Sequence, residues 1–200
     1  MQHRRSADAE VAVFSASATE SNEARLISRI ADGDRFAFET LYRHYFPRLT
    51  RFLDRMTRNA QAIEEVVNDT MLVVWQKAHT YDGSSKVSTW IFAIAYRKAL
   101  KAIRSMDEPV EFDPDQQAAD GTHEPENELE YRQLQRIVGT ALDSLSMEQR
   151  AVVSLAYYHS MAYEEIADIM NCPVNTVKTR MFYARRQLKT LLAGQMGDEQ

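Results

Sequence analysis

The chain has 200 residues, of which 44% are apolar and 26% charged, and it contains a single cysteine, Cys172. This apolar content is enough for one or two small packed domains and excludes a wholly disordered chain. No apolar run approaches the length of a membrane-spanning helix, and a lone cysteine excludes an internal disulfide and fits a reducing cytoplasm.

The net charge of −5 is distributed unevenly. Residues 107–130 contain ten acids and no lysine or arginine, and without them the rest of the chain carries +5. Three of the five prolines fall in the same segment. We therefore expect a flexible acidic linker at residues 107–126 between two mildly basic domains. A self-repelling linker suits a nucleic-acid binder, but acidic linkers without a function are equally common.

The chain begins with residues that favour no helix. Asp8 and Glu10 interrupt the apolar core that a secretory signal would need, so we expect residues 1–22 to form a disordered leader. Helical spacing of apolar side chains then predicts a helix over residues 23–31, which residues 32–34 end. A longer helix starts at Arg35 and carries one apolar stripe, and Pro47 within it predicts a kink.

The next predicted helix has an acidic face. It runs from Ala60 to about His79, with Asn59 as its N-cap. The face opposite its apolar stripe carries Glu64, Glu65, Asn68, Asp69 and Gln76. An acidic face in an otherwise basic domain repels DNA and suits a protein partner, although a solvated face is the commoner explanation for any one charge.

The loop at residues 80–86 and the helix after it have the chemistry of a single-stranded DNA site. Ser88 is predicted to cap a helix over residues 89–105. One surface of this helix is basic and carries Arg97, Lys98, Lys101 and Arg104. A strand's backbone can follow such charge while an unstacked base lies on an aromatic ring or enters a pocket. Trp90 either serves as such a ring or lies wholly in the core.

Four helices are predicted for the C-terminal part, over residues 127–193, with a tail at 194–200. The first carries Leu134, Ile137, Val138, Ala141 and Leu142. A capping-box pattern that begins at Ser146 opens the second. We find no internal repeat and no strand, so the sequence predicts an all-α chain of two small helical domains.

The last two helices, within Tyr163–Leu188, have the pattern of a helix-turn-helix. Asn171 and Pro173 break the helical period between them. Three short polar side chains near the start of the second helix would face base edges, namely Asn175, Thr176 and Thr179. Its cations would neutralise phosphates, namely Lys178, Arg180, Arg185, Arg186 and Lys189. The alternative is a helical hairpin with a solvated basic face.

Together these stretches resemble the extracytoplasmic-function (ECF) sigma factors of bacterial RNA polymerase, which belong to the sigma-70 class. In the first domain the resemblance rests on FETLYRHYFPRLTRFLDRM, IEEVVNDTMLVVWQKAHTY and STWIFAIAYRKALKAIR, which are similar to the family's region 2. In the second it rests on ALDSLSMEQRAVVSLAYYHSMAYEEIADIMNCPVNTVKTRMFYARRQL, which is similar to region 4. The resemblance places region 2 at residues 23–106 and region 4 at residues 127–193.

The resemblance implies three binding surfaces. The coiled coil of the polymerase β′ subunit would bind Glu64, Glu65, Asn68, Asp69 and Gln76. The −10 element would be melted and held by Tyr81, Ser84, Ser85, Lys86, Thr89, Trp90, Arg97, Lys98 and Lys101. The −35 element would be bound by Asn175, Thr176, Lys178, Thr179, Arg180, Phe182, Tyr183, Arg185 and Arg186. In the family an Arg is common where Tyr183 stands, so the −35 sequence cannot be copied from a relative.

The implied function is that of a cytoplasmic promoter-specificity subunit. Its partners would be core RNA polymerase, through the β′ and β subunits, promoter DNA and an anti-sigma factor. We expect no small-molecule substrate, cofactor, metal or catalytic residue, because no nucleophile–base pair, phosphate loop or metal-spaced cluster occurs in the sequence. The competing hypothesis is a free-standing helix-turn-helix regulator that binds duplex DNA as a dimer, and it leaves the first domain unexplained.

Overall fold

Residues 19–57, 59–106 and 139–197 are those that the computed structural model describes. They form helices joined by short connections, and no strand occurs among them, which confirms the all-α prediction. The chain divides into two compact units. We call the described residues 19–106 the N-terminal unit and residues 139–197 the C-terminal unit. The predicted linker at 107–126 lies outside the described residues, as does most of the predicted leader.

The N-terminal unit contains four α-helices. Helix α1 spans residues 19–31, and the others are α2 (Arg35–Asp54), α3 (Ala60–Lys77) and α4 (Val87–Met106), with a 3-10 turn at Ala78–Thr80 after α3. Helix α2 packs against α3 and is continuous through Pro47. The largest fully buried side chains of this unit are Ile27, Ile30, Leu41, Tyr45, Leu49, Phe52, Leu53, Met71, Ile91 and Phe92.

Side-chain caps start two of these helices. The carboxylate of Asp34 accepts hydrogen bonds from the backbone N–H groups of Phe36 and Ala37, at 2.9 and 3.1 Å, and the bond to Ala37 is the main cause of its lowered pKa. The side chain of Asn59 accepts from the N–H of Ala62 at 3.0 Å, which confirms the predicted cap of α3.

Two predicted helix starts are wrong. Helix α1 begins at residue 19 instead of 23, and Glu20 in its added first turn lies 3.8 Å from Lys86. Helix α4 begins at Val87, which is buried, and the N–H of Trp90 donates to the carbonyl of Lys86 at 3.0 Å. Ser88 therefore lies in the first turn and is not the cap.

A buried carboxylate connects α1 to α2. The Tyr45 hydroxyl, fully buried, donates to Oε2 of Glu23 at 2.8 Å. The other carboxylate oxygen of Glu23 lies 3.3 Å from Nε2 of His44 and 3.6 Å from a guanidinium nitrogen of Arg48. The guanidinium of Arg48 also lies over the Tyr45 ring, 4.8 Å from its centre. This Glu23 cluster satisfies a polar group that would otherwise be costly to bury.

We expect the N-terminal unit to lose stability in alkali through Tyr45. Burial, with the nearby charge of Glu23, raises the pKa of Tyr45 far above its usual value near 10. The folded state therefore retains a proton that the unfolded state releases, so the stabilisation is complete below pH 10 and falls as the pH rises further. Melting temperatures between pH 9 and 12 should fall more steeply for the native chain than for Tyr45→Phe. Equal slopes would contradict this role.

The C-terminal unit also contains four helices. Residues 139–143 form the described end of α5, and α6 (Met147–Tyr158), α7 (Tyr163–Met170) and α8 (Val174–Gly197) follow. Ser146 and Gln149 form the predicted capping box, with N–H to side-chain oxygen distances of 3.0 and 3.3 Å. Helix α6 packs along α8. Helix α8 continues to Gly197.

None of the helices in the described ranges combines the length and the apolar character needed to cross a membrane.

Candidate nucleic-acid interface

The connection between α7 and α8 is the turn of a helix-turn-helix. Asn171 adopts a left-handed conformation with φ of 49°. The N–H of Cys172 donates to the carbonyl of Ala167 at 3.0 Å, and that of Asn171 to Asp168 at 3.3 Å. These two bonds form a Schellman motif, which ends α7. The carbonyl of Pro173 accepts the first bond of α8, so the predicted turn is confirmed.

Helix α8 presents one exposed edge to solvent. Val177, Met181 and Ala184 are buried and fix its orientation on the unit. The opposite edge carries Asn175, Thr179, Phe182 and Arg186, all exposed. Phe182 is 61% exposed, which is unusual for so large an apolar side chain. An edge of short polar, aromatic and cationic groups on the second helix suits the major groove.

The flanks of α8 carry the other predicted −35 residues. Lys178 and Arg185 are exposed on one flank. The opposite flank carries Thr176 and Arg180, both half-buried, and the exposed Tyr183. A guanidinium nitrogen of Arg180 lies 3.6 Å from the sulfur of Cys172, and the guanidinium of Arg186 lies over the Tyr183 ring at 5.3 Å. The nine predicted −35 residues therefore lie on one helix.

The loop before α4 is closed by its own side chains. The Tyr81 hydroxyl donates to the carbonyl of Ser85 at 2.6 Å, and the N–H of Ser84 donates to the Asp82 carboxylate at 2.9 Å. Gly83 has φ of 75°, which a residue with a side chain rarely adopts. Burial, followed by the charge of Glu20, raises the pKa of Tyr81, so this hydroxyl stays a neutral donor.

A row of aromatic and basic side chains runs from this loop along α4. Trp90 is half-buried, so it does not lie wholly in the core, and its ring lies 5.4 Å from that of Tyr81. Arg97, Lys101 and Arg104 follow on the same side of the helix and are exposed. The row thus combines aromatic surface at the loop with cations beyond it.

Two predicted −10 residues differ in placement from the rest. Thr89 is only 2% exposed, because it faces the core in the first turn of α4, and its contact with DNA stays a prediction. Lys98 is partly exposed, but its ammonium pairs with the carboxylate of Asp69 on α3 at 2.8 Å. Ser84 and Lys86 are exposed and Ser85 is half-buried.

The acidic face of α3 contains an apolar residue that was not predicted from the sequence. Glu65, Asp69 and Gln76 lie in one outward row, and Leu72, 51% exposed, lies in the same row. The spacing of 65, 69, 72 and 76 is itself helical, so this residue could have been found by placing every position of α3 on the helix surface. Glu64 is exposed beside the row.

A groove of about 490 Å³ adjoins this row between α2 and α3. Its lining consists of Arg35, Phe38, Tyr42, Asn68, Met71, Leu72 and Trp75. The rings of Phe38 and Trp75 meet edge to face at 5.2 Å. The Tyr42 hydroxyl donates to the side chain of Asn68 at 3.0 Å and so connects the groove to the acidic face.

Comparison with protein families matches both units. Residues 41–108 match the family described as Sigma-70 region 2, and residues 135–188 match Sigma-70, region 4. The ECF RNA polymerase sigma-E factor of Haemophilus influenzae is 30% identical over 175 residues, which cover 82% of this chain and 92% of that protein. The chain belongs to the ECF sigma factors.

Further relatives agree with this assignment. The ECF RNA polymerase sigma factor RpoE of Cereibacter sphaeroides is 31% identical to this sigma factor over 159 residues, which cover 78% of the chain and 86% of the relative. The structure of RpoE with the anti-sigma factor NepR from Bartonella quintana matches with a TM-score of 0.59 and 25% identity, over 78% and 96% of the two chains. CnrH, in complex with the cytosolic domain of CnrY, shares the fold, with a TM-score of 0.65 and 21% identity over 86% and 98%.

The family match decides between the two functional hypotheses. It extends over both units, whereas a free-standing helix-turn-helix regulator would account for the C-terminal unit alone. The prediction of a sigma factor is confirmed, and the regulator hypothesis is not favoured. The described residues contain no group of three or more His, Cys, Asp or Glu side chains arranged to hold a metal ion.

Proposed function

We propose that this sigma factor binds core RNA polymerase in the cytoplasm and directs initiation by contacting the −35 and −10 elements, without an active site of its own. The observation that carries this proposal is the separation of charge among the helix surfaces. The exposed surface of α8 is basic, as are Arg97, Lys101 and Arg104 in the row along α4, and the outward row of α3 is acidic. Two DNA elements and one protein partner account for this division.

Helix α8 is proposed to read the −35 element. It has 24 residues and no acid, and its exposed edge begins in the first turn with Asn175. Recognition helices contact bases chiefly through their N-terminal residues. Asn175, Lys178 and Thr179 are therefore assigned to base edges, with Phe182 against an apolar base surface and the flanking arginines on phosphates.

Lys178→Ala is expected to weaken −35 recognition by about 1–3 kcal/mol at promoters with the matching base. The reason is its exposed place in the second turn of α8, next to the proposed base contacts. Transcription should be measured on promoters with each of the four bases at every −35 position. Lys189→Ala, on the same helix, is the comparison and should weaken all promoters alike. An equal loss on every promoter would move Lys178 to the phosphate contacts.

The α4 row and the loop before it are proposed to hold the melted −10 strand. The half-buried rings of Tyr81 and Trp90 offer a surface on which an unpaired base can stack. Arg97 and Lys101 are exposed where the strand's phosphates would continue. The fixed loop geometry reduces the entropy lost when the base is bound.

The outward row of α3, with the adjoining groove, is proposed to bind the β′ subunit of the polymerase. The exposed carboxylates would pair with cations of the partner and fix its register. Leu72 and the groove's aromatic rings supply apolar area of the kind that dominates interface energies. The acidic residues alone would give a weak, screened contact.

We also propose that an anti-sigma factor controls this protein. The RpoE relative described above was solved with the anti-sigma factor NepR, and it shares 25% identity with this chain. The surfaces proposed for polymerase and DNA are exposed in the isolated chain, so a protein that covers them would block initiation.

Run-off transcription tests the proposal as a whole. Purified core polymerase is incubated with a promoter library, with and without this chain. Transcripts that depend on the chain and share −35 and −10 sequences are expected. If adding the chain left initiation by core polymerase unchanged, while the chain alone bound a palindromic DNA duplex, the regulator hypothesis would replace the proposal.

A further inference from the structure

One exposed tyrosine outside α8 contacts a cation of the proposed −35 interface. Tyr157 lies in the last turn of α6 and is 59% exposed. Its hydroxyl oxygen accepts a hydrogen bond from Nε of Arg185 at 3.0 Å, and the guanidinium carbon lies 5.7 Å from the ring centre. Because α6 packs along α8, this contact connects two helices at the surface.

The pair leaves most of its hydrogen-bond donors unused. Nε is one of five N–H donors of the guanidinium, and the hydroxyl has donated nothing by accepting this bond. Within the ranges that the structure describes, neither the four other N–H groups of Arg185 nor the hydroxyl proton of Tyr157 has an acceptor. Helix α8 contains no acid, so it offers these donors no carboxylate.

These donors suit one particular kind of ligand. Accepting a bond from a cation polarises a hydroxyl group and strengthens it as a donor. A cation and a hydroxyl donor side by side fit two oxygens of a phosphate group, and charge-assisted bonds of this kind are the strong ones. An apolar protein surface would leave this donor set unsatisfied, which is costly.

Resting on the proposed role of α8 in −35 binding, we propose that Tyr157 and Arg185 together bind one backbone phosphate of the promoter duplex. Tyr157 is then a DNA contact that holds Arg185 in place, and α6 becomes part of the DNA interface. The contact carries no base information, because a phosphate is the same at every position.

Tyr157→Phe is the variant that tests this proposal, in holoenzyme assembled from core polymerase and the full chain. It removes the hydroxyl and keeps the ring. We expect about tenfold weaker binding to a promoter duplex, equally for all −35 base variants. Binding to a forked template that carries only the −10 element should be unchanged. Tyr158→Phe, at the neighbouring tyrosine, is the matched control and should bind both templates as the native chain does.

Salt dependence separates a phosphate contact from a structural role. Arg185→Met should reduce the slope of log affinity against log salt concentration by about 0.9, because one phosphate contact is lost. Tyr157→Phe keeps the charge and should leave the slope unchanged. The double variant should bind hardly more weakly than Arg185→Met, since the two side chains act on one phosphate.

Three outcomes would overturn the phosphate contact. If Tyr157→Phe bound the promoter duplex with native affinity, Tyr157 would not contact the phosphate. If the losses of affinity were additive in the double variant, Tyr157 and Arg185 would not act on the same phosphate. A loss of assembly with core polymerase, with DNA contacts intact, assigns the tyrosine to a protein partner. Asn175→Ala provides the reference. If Asn175→Ala weakens −35 binding but Tyr157→Phe does not, only the phosphate contact is contradicted. If neither variant changes −35 binding, the proposed role of α8 is contradicted as well.

Discussion

Reversing Glu65 and Asp69 to lysine is expected to abolish assembly with core polymerase while the helices remain folded. Both side chains lie in the outward row of α3, beside the exposed Leu72. Placing cations opposite a partner selected for carboxylates costs several kcal/mol, so we expect a loss of affinity of about 100-fold or more. Co-purification and a direct binding titration with core polymerase measure it, and circular dichroism reports the helices.

The matched control reverses two acids elsewhere in the same unit. Asp32 and Asp54 are exposed and lie outside α3, at the ends of α1 and α2. Their reversal to lysine changes the net charge by the same amount, so it isolates position from overall charge. Native binding by the Glu65 and Asp69 variant would show that this row is not the docking surface. If both double variants lost the same affinity for core polymerase, the loss would come from long-range electrostatics and not from the position of the acids.

Glu23→Ala is expected to destabilise the N-terminal unit by about 2–4 kcal/mol. The substitution leaves the buried Tyr45 hydroxyl without its acceptor and removes the anion next to Arg48. Glu23→Gln should lose less, because its amide oxygen still accepts from Tyr45. Urea unfolding followed by tryptophan fluorescence measures the effect on this unit alone, because both tryptophans, Trp75 and Trp90, belong to it.

Glu20→Ala is the control for this experiment. It removes a carboxylate from the same helix, but Glu20 is more exposed than Glu23 and lies 3.8 Å from Lys86. Exposed pairs of this kind contribute little, so the unfolding midpoint should hardly move. Equal changes in the two variants would mean that the stability of α1 depends on its total charge and not on the Glu23 cluster.

Local patterns in the sequence predicted most of the helices and the turn between α7 and α8. Asn171, Pro173 and the capping box at Ser146 act over a few residues, so their effect can be read from the chain. Asn59 is predictable for the same reason. The division of exposed charge among α3, α4 and α8 likewise followed from helical spacing, because each surface belongs to one helix.

Features that depend on contacts between helices were not predictable. Nothing in the sequence shows that Glu23 is buried, and only the fold brings Tyr45 to it, 22 positions later. Thr89 was predicted as the first helical residue, and its burial follows only from the fold, in which the helix begins two positions earlier at the buried Val87. The groove between α2 and α3 and the bond between Tyr157 and Arg185 each need two helices.

The ion pair between Lys98 and Asp69 links the proposed polymerase surface thermodynamically to the proposed DNA surface. A partner that pairs with the Asp69 carboxylate frees the Lys98 ammonium to bind a phosphate. By the same linkage, a phosphate that binds Lys98 frees Asp69 to pair with the partner. The linkage is bounded by the strength of the pair, and a partly exposed pair contributes at most about 1 kcal/mol. Capture of the polymerase would thus raise affinity for melted promoter DNA by about fivefold at most, a bias toward the assembled complex.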